Sequence, residues 1–250
     1  MIDETLTEAS RELRPGHASL RALCAFSGGK DSCLALWHAQ RLGWDVRALL
    51  VMLEEDGVRS RSHGLPVQLI ERQASALGLK LFTRNASWAN YEQVFTATLR
   101  ELELQGYGAI VFGDIDLQEH RDWEERVCRT AGLRAVLPLW QRNRATLARE
   151  AIELGFRSIV VCVDSEYLPD EFCGREYDAS FLADLPRSVD VCGENGEFHT
   201  FVYDGPNFAH PVEFELVGKA PYYAPEAHGG RRYCIATLAP PPVSAAPNAT

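Results

Sequence analysis

The chain has 250 residues, 46% of them hydrophobic, and a net charge of −10 at neutral pH. This length accommodates one sizeable α/β core with a smaller lobe, and the negative charge disfavours a broad nucleic-acid surface. No basic start followed by an apolar run and no long apolar stretch is present, so we expect a cytoplasmic protein without signal peptide or membrane span. The seven cysteines are scattered and never spaced C-x-x-C, which argues against a disulfide framework or a zinc knuckle.

Short β-rich runs alternate with helical segments through most of the chain. The predicted strands are LRALCAF, VRALLVML, LKLFT, AIVFG, LRAVLPL and RSIVVCVD. The predicted helices cover 31–42, 67–77, 91–105, 119–131 and 144–154. This alternation is typical of a parallel sheet covered by helices.

The pattern loosens after Asp164 into segments punctuated by glycine and proline. A short helix is predicted at 179–185, followed by two late strands, VEFELV and RRYCIATL. We therefore predict a flexible tail at 1–19, a parallel-sheet domain at 20–140, a C-terminal lobe at 141–238 and a disordered tail at 239–250.

The strongest motif lies between the first strand and the first helix, and consists of Ser27, Gly28, Gly29, Lys30, Asp31 and Ser32. Two glycines let backbone N–H groups approach an anion, while the helix N-terminus and the lysine add positive charge. The serines can donate to phosphate oxygens, and the aspartate can hold Mg²⁺. The motif predicts a phosphate-binding loop, although a capped Gly-Gly turn is the simpler structural alternative.

The glycine spacing is neither that of a Walker loop nor that of a dinucleotide fingerprint. It resembles the S-G-G-x-D-S loop of the PP-loop ATP pyrophosphatases, which grip the β,γ-pyrophosphate so that the α-phosphate is attacked. The resemblance implies that 20–140 is a PP-loop ATP-binding domain, with adenine near Met52 at the end of the second strand.

A second polar cluster follows the fourth strand and contains Gly113, Asp114, His120, Arg121 and Glu124. Ligands of open parallel sheets lie at the carboxyl ends of the strands, so this cluster should face the phosphate loop. Asp114 is a candidate ligand for Mg²⁺ or ribose, and the basic residues can neutralise α-phosphate charge. The structural alternative is that Asp114 or Asp116 caps the helix and that the charged residues lie on its solvent-exposed face.

A third cluster stands in the glycine-punctuated loop of the C-terminal lobe and contains Glu194, Asn195, Glu197, His199 and Thr200. In an extended segment Glu197 and His199 share a face. A carboxylate beside an imidazole suits proton transfer or the orientation of an amine, although a structural histidine explains the same pattern.

Together, SGGKDS, FGDI with EHRDWEE, GLRAVLPLW and CGENGEFHT resemble the diphthine–ammonia ligase family over about residues 20–220. The resemblance implies a Rossmann-like sheet of the adenine nucleotide alpha hydrolase type with a C-terminal, acceptor-binding lobe. It also implies an ATP-dependent amidoligase that adenylates a carboxylate, releases AMP and pyrophosphate, and transfers ammonia to the acyl group.

By position, the resemblance assigns ATP to residues 27–32, with Met52, Gly113 and Asp114. The implied catalytic residues are Lys30, Asp31, Glu197 and His199, and the implied Mg²⁺ ligands are Asp31 and Asp114. The implied substrate-binding residues are His63, His120, Arg121, Glu124, Glu194, Asn195 and Thr200.

No glutaminase motif surrounds any cysteine, so we expect free ammonium or an amine as the nitrogen donor, with a separate glutaminase subunit as the open alternative. The acceptor is either a protein side chain, as in the diphthine of elongation factor 2, or a small-molecule acid, and a homodimer is compatible with both. Two other functions remain open. They are tRNA-base modification, disfavoured by the acidic charge and the absent C-x-x-C, and a non-catalytic ATP sensor.

Overall fold

The computed structural model describes residues 20–224 and 230–242. Its first sheet has five parallel strands in the order β3-β2-β1-β4-β5. Along the chain these strands are β1 Arg21–Ala25, β2 Asp45–Leu53, β3 Lys80–Asn85, β4 Tyr107–Val111 and β5 Arg134–Val136. The predicted Rossmann-like α/β class is confirmed.

Helices connect these strands and cover both faces of the parallel sheet. They are α1 Lys30–Arg41, α2 Val67–Ala76, α3 Tyr91–Leu104 and α4 Gln118–Ala131. The β2 strand is buried along almost its whole length, as expected for a parallel strand packed on two sides. One apolar cluster joins the sheet to α3 and α4, and a second joins its other face to α1 and α2.

A second sheet has the strand order β7-β6-β9-β8, and its neighbouring strands are antiparallel. Its strands are β6 Arg157–Asp164, β7 Phe198–Asp204, β8 Glu215–Tyr223 and β9 Arg232–Ala239, and it is accompanied by α5 Arg144–Glu153 and α6 Ala179–Asp184. The prediction that RSIVVCVD continues the parallel sheet is therefore wrong. A continuous apolar run indicates a buried strand but not the direction in which it pairs. RSIVVCVD forms the buried strand β6, which lies inside the second sheet between two antiparallel neighbours.

The second sheet packs directly on the first. The cluster that contains α1 and α2 also contains Val160, Phe198, Phe201 and Val202 of the second sheet. Because the two sheets share this core, β7 is held against the carboxyl edge of the parallel strands.

Several predicted boundaries move slightly. The first helix begins at Lys30 rather than Asp31, and VEFELV is replaced by the longer strand β8. The tail predicted from residue 239 overlaps the last residue of β9, while residues 1–19 and 243–250 lie outside the described residues. Within the described ranges, helix length and apolar content nowhere reach what a membrane crossing requires.

Candidate active site

A cleft of about 800 Å³ lies at the carboxyl edge of the parallel sheet. Its walls come from the phosphate loop, the segments after β2 and β4, the start of α3, and the loop before β7. This size is in the range of small-molecule sites, and the position is the one at which open α/β sheets bind ligands. The three polar clusters predicted from the sequence therefore meet in one place.

The phosphate loop is held by its own side chains. Ser27 Oγ donates to Ser32 Oγ at 3.1 Å and accepts from the backbone N–H of Gly29 at 3.3 Å, and Ser32 Oγ also donates to the Gly29 carbonyl at 3.0 Å. Gly28 has φ +82, and an added Cβ would lie 2.8 Å from Gln73 and Leu65 side-chain atoms. A glycine is thus required by both conformation and space at this position.

Strand β7 docks on the phosphate loop from the C-terminal lobe. The Gly28 carbonyl accepts from the backbone N–H of Val202 at 2.9 Å and from Gln73 Nε2 at 2.9 Å. The Lys30 backbone N–H donates to Thr200 Oγ1 at 3.0 Å. Thr200 therefore satisfies an N-terminal N–H of α1, which has no side-chain cap of its own.

Lys30 is almost fully buried beside the cleft. Its Nζ lies 2.7 Å from Asp31 Oδ2 and contacts the Cys192 carbonyl, with the Tyr177 and Phe198 rings 5.7 and 5.4 Å away. Burial by itself would lower the pKa of Lys30, but Asp31, Cys192 and Glu194 together outweigh it and raise the pKa above the ordinary value. The ammonium is thus charged, and it sits at the start of α1, where phosphate oxygens are favoured.

Carboxyl groups line the cleft around this lysine. Burial and the charge of Asp31 raise the pKa of Glu194 to about 7, and burial with the charge of Asp114 raises that of Glu124 to about 11. His120 Nδ1 lies 2.7 Å from Asp114, and this contact raises the pKa of the imidazole. Glu124 is thus protonated at pH 7, and a cation bound beside these acids would favour their charged forms.

His63 and His199 stack with ring centroids 4.6 Å apart. His63 Nδ1 lies 3.0 Å from the Thr200 carbonyl, so this nitrogen carries the proton and Nε2 is left with a lone pair. Burial lowers the pKa of His199 to about 4, and burial lowers that of His63 well below its usual range. Both rings are therefore neutral at pH 7.

This histidine pair has a measurable consequence for stability. The unfolded chain gains protons at these histidines below about pH 6.5 while the folded chain does not, so their contribution to the free energy of unfolding falls as pH drops from 6.5 towards 4. The raised pKa of Glu194 has the opposite effect: its contribution to the free energy of unfolding increases as pH drops from about 7 to 4.5.

We therefore expect urea denaturation to show a smaller loss of stability in His199→Gln than in the unchanged protein between pH 7 and 5. The unchanged protein should lose about 1–2 kcal/mol more of its free energy of unfolding over this pH range than the variant does. The Glu194 contribution is common to both proteins and cancels in this comparison. Parallel stability curves would contradict the neutral state of His199.

The Glu194 loop is ordered by two acidic residues, Asp190 and Glu197. Asp190 accepts from the backbone N–H groups of Cys192 and Glu194, at 3.2 and 2.8 Å. Glu197, 3% exposed, accepts from the Asp190 and Asn195 backbone N–H groups and from the Asn195 side chain, at 3.0–3.1 Å. Its oxygens are directed at the loop rather than at the cleft.

Most of the residues predicted for the site line the cleft. They are Ser27, Lys30, Asp31, Ser32, Met52, His63, Gly113, Asp114, His120, Glu124, Glu194, Asn195, His199 and Thr200. Gly28 and Gly29 of the loop are not among the lining residues, and a Gly29 Cβ would collide with the His63 ring. Arg121 and Glu197 are outside the lining: Arg121 pairs with Glu125 at 2.7 Å and stacks on Trp140.

The structure adds residues that sequence reasoning missed. Gln73 clamps β7 to the phosphate loop, donating to Gly28 and to the Val202 carbonyl at 2.6 Å. Arg144 bridges Asp190 at 2.8 Å and Asp116 at 2.8 Å, which joins the loop before β7 to the loop after β4. Neither residue lies in a motif, and only the fold brings it to its partners.

Within the described part of the chain, no three His, Cys, Asp or Glu side chains are gathered into a metal site. Asp31 and Asp114 nevertheless both line the cleft beside Lys30. Mg²⁺ is commonly bound by one or two carboxylates together with substrate phosphates, so this donor pair fits that ion.

A parallel α/β sheet with a glycine-lysine phosphate loop at its carboxyl edge defines a nucleotide-binding protein of the Rossmann-like class. Two family models match the chain: the diphthamide synthase N-terminal domain over residues 20–135 and the diphthamide synthase C-terminal domain over residues 143–224. The chain belongs to the diphthamide synthase family.

Curated relatives agree with this assignment. The chain is 28% identical to the diphthine–ammonia ligase of Homo sapiens, with 84% of this chain and 90% of the relative covered. It is 27% identical to the longer diphthine–ammonia ligase of Schizosaccharomyces pombe, covering 76% of this chain and 35% of the relative. A solved structure titled a predicted subunit of tRNA methyltransferase from Methanocaldococcus jannaschii matches at 21% identity with a TM-score of 0.41, covering 57% of this chain and 80% of that one.

Proposed function

We propose that this protein is an ATP-dependent amidoligase that converts an acceptor carboxylate to an amide with ammonia, releasing AMP and pyrophosphate. Membership of the diphthamide synthase family and the curated diphthine–ammonia ligases support this proposal. The observation that carries it is that Lys30 and the phosphate loop line the same cleft as Glu194, His63 and His199.

In the nucleotide half of this site, the β,γ-phosphates bind at the start of α1. Lys30 and the loop N–H groups neutralise the pyrophosphate as it leaves, which makes the α-phosphate the point of attack. Adenine lies near Met52 at the end of β2. Mg²⁺ held by Asp31 and Asp114 would supply charge neutralisation for the phosphates.

In the acceptor half, the carboxylate binds beside Glu194 and His120, which line the cleft. Attack on the α-phosphate gives an acyl-adenylate, and ammonia then displaces AMP. The neutral imidazoles of His63 and His199 can accept a proton from the attacking nitrogen as the amide forms. Catalysis is thus mainly positioning and electrostatics.

Two of the predicted roles are revised in this proposal. Glu197 becomes a positioning residue, because its carboxylate is occupied by N–H donors of the loop that carries Glu194. Of the two basic residues predicted for the acceptor side, His120 is retained and Arg121 is dropped, since His120 lines the cleft and Arg121 does not. Thr200 supports the phosphate loop through Lys30 as well as lining the cleft.

The acceptor itself is a protein-borne carboxylate of the diphthine kind, as the names of the curated relatives suggest. A small-molecule acid is the second candidate for the same chemistry. A non-catalytic ATP sensor is less well supported, because it has no use for the stacked histidines or for the acidic residues that line the same cleft.

The reaction is tested by incubating the protein with α-labelled ATP, Mg²⁺ and a modified elongation factor that carries the carboxylate, with and without ammonium. We expect AMP and pyrophosphate in equal amounts, coupled to amide formation, only when the acceptor is present and with turnover dependent on ammonium. Formation of ADP, or ATP binding without AMP under any of these conditions, would refute the proposal.

Replacing Glu197 by alanine separates positioning from catalysis. The substitution removes the carboxylate that accepts hydrogen bonds from three N–H groups of the loop at 190–196. We therefore expect KM for the acceptor substrate to rise about tenfold while the affinity for ATP is retained. Glu197→Gln retains a carbonyl acceptor and should recover part of the loss. A matching loss of ATP affinity would argue against this division of roles.

A further inference from the structure

Thr200 contacts the phosphate loop from the other lobe of the protein. It lies on β7, is 1% exposed and lines the cleft. Its Oγ1 accepts from the Lys30 backbone N–H at 3.0 Å, and its carbonyl oxygen lies 3.0 Å from His63 Nδ1. A side chain of the C-terminal lobe therefore stands at the start of α1, where the proposed function places the β,γ-phosphates.

The Thr200 hydroxyl has a hydrogen that the protein leaves without a partner. A hydroxyl group carries one donor and two acceptor lone pairs. One lone pair accepts the Lys30 N–H, and among the described residues no group accepts the hydroxyl hydrogen. Buried donors are normally matched, so an unmatched donor in a residue that lines a cleft points to an acceptor on a ligand. An oxygen of an anion bound at this helix start is such an acceptor.

Three further hydrogen bonds fix the position of Thr200 over the loop. The alternation of a strand turns Thr200 and Val202 to the same side of β7, and the Val202 N–H donates to the Gly28 carbonyl at 2.9 Å. Gln73 is fully buried and donates to the Gly28 and Val202 carbonyls at 2.9 and 2.6 Å. The hydroxyl is thus held in place before any anion binds, which reduces the ordering that binding requires.

We propose that the Thr200 hydroxyl donates a hydrogen bond to the pyrophosphate part of the nucleotide, so that the pyrophosphate site is built from both lobes. The inference rests on the proposed function, because it assigns one more ligand to the phosphates of that reaction. Thr200 then serves the leaving group rather than the acceptor substrate, to which the sequence resemblance assigned it. Hydrogen bonds to charged oxygens are stronger than neutral ones, so this contact stabilises the pyrophosphate as its charge develops.

The nearest alternative role for Thr200 is that of a helix cap alone. A cap competes with an anion for the Lys30 N–H, so removing the hydroxyl would free that N–H and leave the affinity for the anion unchanged or higher. A donor to the anion is lost with the hydroxyl, so its removal lowers that affinity. A Thr200 that binds only the acceptor substrate predicts no change in anion binding when the acceptor is absent.

The experiment measures the binding of inorganic pyrophosphate and of AMP to the full chain by calorimetry, each with Mg²⁺ and without acceptor. We expect Thr200→Val, which keeps the shape of the side chain, to bind pyrophosphate about 10- to 100-fold more weakly while the affinity for AMP is retained. Thr200→Ser keeps a hydroxyl and should restore most of the pyrophosphate affinity. Unchanged or tighter pyrophosphate binding in Thr200→Val, or no binding of pyrophosphate to the unchanged protein, would overturn the proposal.

Thr98→Val is the matched control. Thr98 is 3% exposed, and its hydroxyl donates to the Val94 carbonyl at 2.8 Å on α3, outside the cleft lining. Each variant loses one hydrogen bond between a hydroxyl and the main chain, so urea denaturation should show similar losses of stability. Only Thr200→Val should lose pyrophosphate affinity. An equal loss of that affinity in Thr98→Val would attribute the effect to reduced stability and remove Thr200 from the site.

The two proposals fail in different ways. If the unchanged protein forms AMP with ammonium and an acceptor but Thr200→Val binds pyrophosphate normally, Thr200 is not a ligand of the pyrophosphate and the amidoligase function stands. If Thr200→Val loses pyrophosphate affinity but the unchanged protein forms no AMP, the ligase function is wrong and the role of Thr200 in binding the anion stands.

Discussion

Replacing Lys30 by methionine should reduce AMP formation from ATP by about two to three orders of magnitude, the usual cost of removing one group that stabilises transition-state charge. Lys30 supplies the one full positive charge of the motif at residues 27–32, and Asp31 fixes its ammonium. Methionine keeps the apolar stem that packs near Tyr177 and Phe198, so the fold should be retained.

The measurement is the rate of AMP release under saturating ATP, with the free energy of unfolding determined for both proteins. Lys219→Met is the matched control, since Lys219 also donates to a main-chain carbonyl, that of Cys173 at 2.8 Å, but lies on β8 outside the cleft. Turnover in Lys30→Met within tenfold of the unchanged protein would exclude Lys30 from the chemistry.

Sequence periodicity predicted the parallel half of the fold well, because each strand and helix there follows from local pattern. The run VRALLVML is apolar enough to define a buried strand, and the strand-glycine-helix order fixes the phosphate loop. RSIVVCVD has the same apolar character, but its partners β7 and β9 are distant in sequence. Pairing direction depends on such distant partners, so local pattern did not predict it.

In the candidate site, too, local sequence pattern predicted some residues, while contacts made only in the fold decided others. Lys30, Asp31 and Asp114 could be found because motif and strand ends point to a common edge of the sheet. Glu197 illustrates the limit: alternation predicted that it shares a face with His199, whereas its carboxylate turns to the N–H groups of Asn195 and Asp190. Loop hydrogen bonds decided its direction.

The contacts of β7 join the C-terminal lobe to the phosphate loop. Thr200 holds the first N–H of α1, and Val202 and Gln73 hold the Gly28 carbonyl. The strand that carries His199 towards the acceptor side is therefore the strand that shapes the phosphate loop. Under the proposed function, a movement of β7 would therefore change the acceptor side and the phosphate loop together.

Replacing Gly113 by alanine should have the second large effect, at the point where the loop after β4 meets the start of α1. The new Cβ would lie 2.9 Å from the Asp31 carbonyl carbon and 2.9 Å from the Ser32 backbone nitrogen. These are main-chain atoms and cannot rotate away, so the helix start or the Asp114 loop must shift. Misplacement of reacting groups by about 1 Å can reduce turnover about 100-fold.

We therefore expect Gly113→Ala to lose about 100-fold in AMP formation and about 1–3 kcal/mol in the free energy of unfolding, the typical cost of overpacking. The measurements are the turnover assay and urea denaturation. Gly218→Ala on β8 is the control, because its Cβ would meet no atom within 4 Å. Full activity in Gly113→Ala would show that the loop after β4 can move away from α1 without disturbing the site, and that Asp114 does not act from the position seen here.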